Sequence, residues 1–319
     1  MSKSTGTVLV TGGTTGLGYE CALSIAQQCP HYQILIASRS NKDNAAVSIN
    51  QITDHSNVEY LKLDLSSLAK VRSFAAEYAE KDYPPIKALV LNAGLQIHEL
   101  DYTEDNIEST FAINHVGHAL LFYLMSPYLA EEARIVITAS GTHDEAQKTG
   151  LPKAIYKSAE ELAHPTEETE KYAGTQRYAT SKLCNIMWTY ALQRRLERSP
   201  DKRWTANAFD PGLMPGTGLA RAWPAILRFI WHHIMPRMIW LLRILISPNI
   251  YSPKESGVSL ARLAVGDDVK GVSGKYYEGQ KQIPSSKDSE VVGKQEDLWD
   301  WTVQRVAKDE KERRQFESI

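Results

Sequence analysis

Short apolar runs alternate with helix-length amphipathic stretches from the beginning of this 319-residue sequence. The apolar runs are rich in β-branched residues and continuously hydrophobic, as strands buried on both faces of a parallel sheet are. Strands are predicted at residues 7–10, 33–37, 59–63, 88–91, 134–138 and 205–209, with a candidate edge strand at 274–277. Helices are predicted at residues 18–28, 44–52, 68–80, 106–129 and 176–197. Because strand and helix alternate, the sequence predicts an α/β fold with a doubly wound parallel sheet.

Composition narrows the class of protein further. The chain is 43% hydrophobic and 23% charged, which excludes collagen-like, disulfide-scaffold and disordered classes. No repeat or Pro/Gly/Ser-rich linker divides it, so one domain is predicted over residues 1–319. The net charge of −2 gives no electrostatic reason to expect a nucleic-acid partner. Three cysteines without C-x-x-C spacing, and no signal-peptide-like start, favour a cytoplasmic protein without a disulfide framework or zinc site.

A glycine-rich turn follows the first predicted strand and opens the first predicted helix. Residues 11–18 read Thr-Gly-Gly-Thr-Thr-Gly-Leu-Gly, a TGxxxGxG spacing rather than the GxGxxG form. Glycines here let the chain turn tightly and bring backbone N–H groups and a helix N-terminus against a pyrophosphate. The alternative is a strand–helix turn with no ligand, but the position on the first βα turn favours a dinucleotide site. The residues assigned to that site are Gly12, Thr14, Thr15, Gly16, Leu17 and Gly18.

The end of the second predicted strand bears on the choice of cofactor. A site that selects NAD usually places a carboxylate there for the ribose 2′-hydroxyl, and this sequence has none. Ser38 and Arg39 instead offer a hydroxyl and a fixed cation, which suit a 2′-phosphate. A solvated surface arginine is the alternative. Because the glycine turn comes just before it, we favour NADP(H) as the cofactor.

Polar residues also end the third and fourth predicted strands. Asp64 and Leu65 follow the third strand, and Asn92, Ala93 and Gly94 follow the fourth. In an open parallel sheet the ligand lies beyond the carboxyl ends of the strands, so both segments are predicted to line one cleft. Taken alone, each would be read as a helix cap or a turn.

The segment Tyr178-Ala179-Thr180-Ser181-Lys182 carries the strongest chemical signal. On a helix, residues i and i+4 share a face, so the phenol and the ammonium group lie about one turn apart. A nearby cation lowers the pKa of a phenol toward working pH, as a general acid/base requires. Ser140 follows the fifth strand and could hydrogen-bond a substrate oxygen. Asn114 lies in mid-helix, where Asn is a poor helix former; a core asparagine is the alternative there.

Together these residues resemble the short-chain dehydrogenase/reductase family over most of the chain. The matching residues, in the family's order, are Gly12, Gly16, Gly18, Asn92-Ala93-Gly94, Asn114, Ser140, Tyr178, Lys182 and Pro211-Gly212. The resemblance implies a Rossmann fold with a seven-stranded parallel sheet and an Asn–Ser–Tyr–Lys tetrad. It also implies direct hydride transfer between nicotinamide and substrate carbon, so no metal is expected.

The resemblance assigns a role to each member of the tetrad. Tyr178 would exchange the proton with the substrate oxygen, which Ser140 would position. Lys182 would hold the nicotinamide ribose and depress the pKa of the phenol, and Asn114 would anchor a water in the proton relay. Pro211 and Gly212, with Thr217 beyond them, would contact the cofactor.

Within the family, the sequence is similar to the branch of retinol dehydrogenases and protochlorophyllide reductases. The similarity lies in Asn114-His115-Val116-Gly117-His118, in Thr217-Gly218-Leu219-Ala220-Arg221 and in a long insertion at residues 141–175. Two features depart from the family pattern. Many members carry Thr five residues after the Pro of the Pro-Gly pair, where this chain has Gly216 with Thr217 beside it. The insertion must also loop out so that Ser140 and Tyr178 can meet.

Residues 223–246 are dense in Trp, Ile and Leu but are interrupted by prolines and cations, with no apolar run of about 18 residues for a membrane span. At 100° per residue, Arg221, Arg228, His232 and Arg243 fall on one face, and Pro236 would kink a single helix. Three interpretations stay open: a helical substrate lid within residues 213–253, a peripheral membrane contact, and an oligomer contact. In each case a lipophilic substrate is predicted.

The sequence therefore predicts an NADP(H)-dependent oxidoreductase that interconverts a carbonyl and an alcohol on a lipophilic small molecule. A C=C reductase similar to protochlorophyllide reductase is a narrower alternative. A sensor or scaffold that binds NADP(H) without turnover is another, and the intact tetrad argues against it. A third alternative is a peripheral membrane protein that docks through residues 223–246. Family resemblance further implies a homodimer through the helices at 106–129 and 176–197.

Overall fold

A computed structural model describes residues 4–199, 202–218 and 224–319 of the chain. The strands are β1 (Gly6–Thr11), β2 (Tyr32–Ser38), β3 (Val58–Lys62), β4 (Ile86–Leu91), β5 (Leu129–Thr138), β6 (Arg203–Asp210), β7 (Tyr276–Glu278) and β8 (Lys281–Ile283). The first six helices are α1 (Gly16–Gln28), α2 (Ala45–Thr53), α3 (Leu68–Ala79), α4 (Ser109–Phe111), α5 (Gly117–Met125) and α6 (Ala159–Ala163). They are followed by α7 (Gly174–Leu196), α8 (Ala225–Phe229), α9 (Ile239–Leu245), α10 (Pro253–Val265), α11 (Val292–Val306) and α12 (Glu310–Glu317).

All eight strands form one sheet in the order β3-β2-β1-β4-β5-β6-β7-β8. Strands β1 to β7 run parallel, and only the short edge strand β8 is antiparallel to its neighbour β7. The strand order reverses between β1 and β4, which opens a crevice at their carboxyl ends. The predicted doubly wound, Rossmann-type fold is confirmed, with an added eighth strand.

Alternate side chains of each strand feed two separate hydrophobic cores. In β1, Val8 and Val10 face the layer of α1, α2 and α10, whereas Leu9 faces the layer of α3, α5, α7 and α11. All three side chains are fully buried. Because both faces are covered, the strand is continuously apolar, and this explains why the sequence pattern could locate it.

The long helix predicted at residues 106–129 is shorter and irregular. It begins at Ser109, passes through a π-helical turn at Ala112–Val116 and ends at Met125. A 3-10 turn, Ser126–Tyr128, follows, and Leu129 is already the first residue of β5. Pro127 within that turn has no N–H to continue the helix. Strand β5 consequently starts before the predicted residue 134.

Three helices of the C-terminal third were missed by the sequence patterns: α10, α11 and α12. In α11, buried Leu298 and Trp299 alternate with exposed charged residues, so only one side of that helix is apolar. The start of α10 carried a clear signal, because Ser252 and Glu255 form a capping box around Pro253.

Candidate active site

A cleft of about 1040 Å³ opens at the carboxyl ends of β1 and β4, where the strand order reverses. All the residues predicted for cofactor binding line it, from Gly12 in the first turn to Thr217 beyond β6. Ser140, Tyr178 and Lys182 line it as well, but Asn114 does not. The fold therefore brings together residues that are distant in sequence at the place where doubly wound sheets bind ligands.

The glycine turn has the backbone shape that the sequence suggested. Gly12 and Gly16 have positive φ angles of 68° and 55°, which favour glycine. A Cβ atom at Gly18 would stand 2.3 Å from the carbonyl oxygen of Gly12, so no side chain fits there. The turn leads directly into α1, with Thr15 as its N-cap residue. Free backbone N–H groups of the first helical turn are thereby presented to the cleft.

The end of β2 presents a cation and no carboxylate. Arg39 is exposed and lines the cleft, and within the described part of the chain it forms no ion pair. The Ser38 hydroxyl donates to the carbonyl of Ser40 at 2.7 Å and lies 2.8 Å from the Thr14 hydroxyl. Its hydrogen bonds are thus made within the protein, and Arg39 is the group left for an anionic ligand.

Asp64 lies at the same end of the cleft, but its carboxylate is already engaged. It accepts from the Ser66 hydroxyl at 2.6 Å and from the Lys70 ammonium group at 3.0 Å. These hydrogen bonds outweigh partial burial and lower the pKa of the Asp64 carboxyl. Its neighbour Leu65 contributes an apolar side chain to the wall.

Asn92 fastens three strands together beneath the cleft. Its side-chain amide donates to the Thr11 carbonyl at 2.9 Å, and its side-chain oxygen accepts from the Thr138 hydroxyl at 3.3 Å. The backbone N–H groups of Asn92 and Ala93 both donate to the Thr11 hydroxyl. The carboxyl ends of β1, β4 and β5 are thereby held in register, and Ala93 and Gly94 are placed on the cleft floor.

Tyr178 and Lys182 lie one turn apart on α7, as their spacing predicted. The Lys182 Nζ is 5.6 Å from the centre of the Tyr178 ring and donates to the Thr138 carbonyl at 3.0 Å. Lys182 is almost fully buried, whereas Tyr178 is half-buried at the cleft surface. Anchored to the end of β5, the lysine cannot swing away from the phenol.

Ser140 follows the end of β5 and lines the same cleft as Tyr178 and Lys182. Its backbone carbonyl accepts from His143 Nδ1 at 2.8 Å, while His143 Nε2 accepts from the Ser286 N–H at 3.0 Å. The Ser140 hydroxyl accepts from the Thr142 N–H at 3.3 Å, so its own proton is left to donate. It is also close enough to Tyr178 to favour the phenolate.

Asn114 stands behind the cleft rather than in it. Its side chain exchanges hydrogen bonds of 2.9 Å with the backbone N–H and carbonyl of Leu95, and its amide also donates to Ser181 at 2.9 Å. It lies in the π-helical turn of residues 112–116, a distortion that often accompanies functional sites. The side chain therefore fixes the loop that follows Gly94.

A carboxylate that the sequence patterns missed completes this end of the cleft. Asp210, the last residue of β6, lines the cleft and is almost fully buried. Its oxygens accept from the Gly212 N–H at 3.0 Å and from the Asn249 amide at 2.8 Å. A Cβ atom at Gly141 would lie 3.0 Å from an Asp210 oxygen, so the carboxylate packs directly against the residue after Ser140.

The electrostatics of the pair differ from the expectation that Lys182 lowers the pKa of Tyr178. Burial and the Asp210 carboxylate together raise the pKa of Tyr178 to about 12, and Ser140 opposes them. Burial lowers the pKa of Lys182 to about 8, with Asp210 acting in the opposite direction. In this structure desolvation and the Asp210 charge set the direction of the shift. Stabilisation of the phenolate by Lys182 stays a prediction.

The loop after β6 covers the glycine turn. Gly212 has a φ of 71°, and the Pro211 carbonyl accepts from the buried Ser256 hydroxyl at 2.7 Å. Thr217 lies over the turn, since its methyl group would be 3.9 Å from a Cβ atom at Gly16. Its hydroxyl donates to the Met214 carbonyl at 2.9 Å.

The insertion at residues 141–175 forms an ordered wall. The Tyr156 hydroxyl donates to the Asp297 carboxylate of α11 at 2.6 Å, and the Ala159 N–H donates to the same oxygen at 2.9 Å. Residues 147–149 and Leu151 line the cleft. The insertion loops out, so that Ser140 and Tyr178 line the same cleft.

The described part of the hydrophobic segment lies across the cleft mouth. Its axis breaks where Pro236 falls in a 3-10 turn, Met235–Met238, between α8 and α9. Trp231 and Met235 line the cleft, and the Trp231 indole donates to the Thr217 carbonyl at 2.9 Å. Within residues 4–199, 202–218 and 224–319, no helix has the length and apolar character needed to cross a membrane. Leu219, Ala220, Arg221 and Trp223 lie outside the described residues.

Comparison with known proteins agrees with this geometry. Residues 6–158 match the sequence profile of the short chain dehydrogenases. Retinol dehydrogenase 13 of Homo sapiens is 31% identical over 298 residues, which cover 92% of this chain and 82% of that protein. Short-chain dehydrogenase TIC 32 B, chloroplastic, of Brassica napus is 28% identical over 316 residues, 94% of this chain and 88% of that protein.

Among solved structures, a blue fluorescent protein from a metagenomic library, in complex with NADPH, has the same fold. It superposes with a TM-score of 0.61 at 22% identity, covering 87% of this chain and 98% of that one. The fold and the cleft thus define an oxidoreductase class built around a nicotinamide dinucleotide. The chain belongs to the short-chain dehydrogenase/reductase family.

Proposed function

We propose that this protein is an NADP(H)-dependent oxidoreductase that interconverts a carbonyl and an alcohol on a lipophilic small molecule. The observation that carries the proposal is the convergence of Tyr178, Lys182 and Ser140 at one end of a cleft whose other end is the glycine turn. Proton-transfer groups and a dinucleotide cradle share one cavity. A hydride exchange with a bound dinucleotide needs that arrangement.

Two features of the cleft, its glycine turn and Arg39, fit a dinucleotide. Gly18 leaves no room for a side chain against the Gly12 carbonyl, so backbone N–H groups can approach a pyrophosphate closely. Arg39 would hold a 2′-phosphate through charge-assisted hydrogen bonds. The NADPH complex of the metagenomic fluorescent protein supports this choice of cofactor. When bound, the nicotinamide supplies or accepts the hydride at the substrate carbon.

The chain's own residues would handle the proton. In reduction, the Tyr178 hydroxyl donates its proton to the carbonyl oxygen, and the Ser140 hydroxyl donates a hydrogen bond that holds that oxygen in place. Lys182 remains near Tyr178 through its bond to the Thr138 carbonyl and stabilises the phenolate that forms. In the oxidation of an alcohol the same phenolate takes the proton back.

The walls of the cleft favour an apolar substrate. The apolar residues Leu213, Met214, Trp231, Met235 and Ile246 line one part of the cleft. Gln147 and Lys148 of the insertion contribute polar groups elsewhere in the wall. Retinol, the alcohol in the name of the human relative, is itself an apolar alcohol, which is consistent with this substrate class.

The test follows NADPH oxidation optically across aldehydes and ketones of rising apolarity. Tyr178→Phe should lower kcat at least a hundredfold while NADPH still binds, because a positioned acid contributes about 10²–10⁴-fold. Tyr190→Phe is the matched control: Tyr190 lies on the same helix, bonds to Ser285 at 2.7 Å and does not line the cleft. Equal activity of wild type and Tyr178→Phe would contradict the proposal. Tight NADPH binding with no turnover of any carbonyl would favour a sensor or a C=C reductase.

A further inference from the structure

Residues 224–246, called the lid below, form an unusual surface for this protein. Of the fifteen large hydrophobic residues that are exposed in the described chain, nine lie between Ile226 and Ile246. They are Ile226, Leu227, Phe229, Ile234, Met238, Trp240, Ile244, Leu245 and Ile246. The other six lie in ones and twos on α2, on α10, at the start of α11 and at Tyr102. Concentrated exposed apolar side chains mark an interaction surface.

The same segment has an inner face with a different task. Trp231 and Met235 line the cleft, as does the exposed Ile246 at the end of the segment. The Trp231 indole and the His232 ring hydrogen-bond to the Thr217 and Gly216 carbonyls. The lid can therefore keep its cleft-lining side in place while its outer side chains contact something else. Ile226, Trp240 and Ile244, exposed by 76%, 65% and 74%, do not line the cleft.

Charge identifies the kind of partner. The sequence has no Asp or Glu between Asp210 and Glu255, whereas Arg228 and Arg237 lie among the exposed apolar residues. Both arginines are exposed, and in the part of the chain that the structure describes neither forms an ion pair. Arg243 differs, since its guanidinium is bound by Glu255 at 2.9 Å. A surface with uncompensated cations and no acid is complementary to an anionic one.

We propose that residues 224–246 dock on the surface of a bilayer that contains anionic phospholipids, with the cleft mouth toward the membrane. The exposed Ile and Leu side chains would enter the acyl boundary, Trp240 would sit at headgroup level, and Arg228 and Arg237 would pair with lipid phosphates. The segment's helices, α8 and α9, are too short to span. That a lipophilic substrate reaches the cleft from the membrane rests on the proposed function. The docking of residues 224–246 on the membrane does not.

Co-sedimentation with vesicles tests the docking. The full-length protein should pellet with equimolar phosphatidylcholine–phosphatidylserine vesicles, more weakly with pure phosphatidylcholine, and less at high salt. The double variant Trp240→Glu/Ile244→Glu should stay in the supernatant. Arg228→Gln/Arg237→Gln should bind the anionic vesicles about 25-fold more weakly, roughly fivefold for each cation, with little change for pure phosphatidylcholine.

A matched control uses exposed apolar residues elsewhere. Val291 and Val292 are exposed by 44% and 53% at the start of α11, so Val291→Glu/Val292→Glu should pellet like wild type. Equal binding by this control and the lid variant would overturn the proposal. Failure of the wild type to bind vesicles would also overturn the proposal. So would self-association of the wild type through the lid, which would appear as a higher sedimentation coefficient for the wild type than for Trp240→Glu/Ile244→Glu.

The two proposals can fail separately. NADPH-dependent turnover of a short water-soluble aldehyde should be unchanged in the lid variants, because none of the four substituted residues lines the cleft. Turnover without vesicle binding would overturn the docking surface alone. Vesicle binding without NADPH-dependent turnover of any aldehyde or ketone of the panel would keep the docking surface and contradict the proposed carbonyl–alcohol oxidoreductase.

Discussion

Asp210 places a buried carboxylate beside a phenol and an ammonium group. Its negative charge disfavours the phenolate of Tyr178 and favours the charged form of Lys182, so it moves the pKa of both groups upward. Hydrogen bonds from Gly212 and Asn249 satisfy the carboxylate while it stays buried. The residue therefore acts on proton transfer without touching the transferred proton.

Replacing that charge should shift the pH profile in a defined direction. In Asp210→Asn the pKa of Tyr178 should fall by about one unit, since a like charge has been removed. Alcohol oxidation needs the phenolate, so its kcat/KM should reach its plateau at lower pH than in wild type. Carbonyl reduction needs the protonated phenol, so its alkaline decline should also begin at lower pH. Initial rates across a pH series in both directions measure the shift.

Glu132→Gln provides the control for that series. Glu132 lies near the amino end of β5, whereas the cleft lies at the carboxyl ends of the strands, and it pairs there with Arg203 and Lys270. Its pH profile should match wild type. If Asp210→Asn also matches wild type, Asp210 has no influence on the proton-transfer groups.

Arg39 is predicted to decide between the two nicotinamide cofactors. Arg39→Leu should weaken NADPH binding about 10- to 100-fold, as expected for losing charge-assisted hydrogen bonds of roughly 1.5–3 kcal/mol. NADH lacks the 2′-phosphate, so its dissociation constant should change little. Fluorescence titration with each cofactor compares them in one protein. If Arg39→Leu weakens the binding of NADPH and NADH equally, Arg39 contacts a part of the dinucleotide that both cofactors contain.

Sequence reasoning reached most of these residues and overlooked Asp210 for an identifiable reason. Asp64 and Asn92 were predictable because they follow strands whose carboxyl ends face the ligand in an open parallel sheet. Asp210 ends β6 at the same edge, just before Pro211, and the same rule applies to it. Conversely, the sequence could not show that the Asn114 amide donates its hydrogen bonds to the Leu95 carbonyl and the Ser181 hydroxyl, because those contacts depend on the π-helical turn.

At the scale of elements, the insertion at residues 141–175 depends on one buried anchor. Tyr156 is almost fully buried and donates to the Asp297 carboxylate, which also receives the Ala159 N–H at the start of α6. The insertion thereby becomes a fixed wall between α7 and α11. A wall of the cleft that is fixed in this way can shape substrate selection.

Removing that hydroxyl should loosen the wall. Tyr156→Phe should lower the free energy of unfolding by about 2 kcal/mol, the usual contribution of a hydrogen bond to a charged group. Urea denaturation measures this loss. Tyr102→Phe is the control, because Tyr102 is exposed by 39% and its hydroxyl should contribute little. A loss of similar size in both variants would rule out the Tyr156–Asp297 bond as the cause.

The strands were predictable because burial on both faces made them continuously apolar. The helices α11 and α12 were not, since each buries a narrow stripe: Phe316 and Glu312 are the buried residues of α12, in a largely charged sequence. Strand β8 pairs only through Lys281–Ile283, too short for a periodic signal. Elements such as α11, α12 and β8 contribute only a few residues each to the core or the sheet, so the sequence pattern gives little sign of them.

At the scale of the whole molecule, α11 and α12 pack against α7 and α5 on one face of the sheet. The Trp188 ring of α7 stacks against Trp299 of α11 with centroids 6.2 Å apart, and Tyr123 of α5 stacks against Phe316 of α12 at 4.5 Å. Arg72 on α3 is bound by Glu312 at 2.7 Å. The chain's own end therefore occupies the side on which α5 and α7 were expected to meet a second copy.

This packing leads to a prediction about assembly: in the absence of lipid, α5 and α7 do not form a dimer interface. Eight of the nine residues of α5 are buried within the single chain, so little apolar surface is left there for a partner. Sedimentation equilibrium at rising protein concentration should give the mass of one chain in Trp240→Glu/Ile244→Glu, in which the exposed lid can no longer self-associate. A stable dimer of that variant would contradict the prediction. Reversal by Leu124→Glu, at the partly buried position of α5, would then locate the contact on that helix.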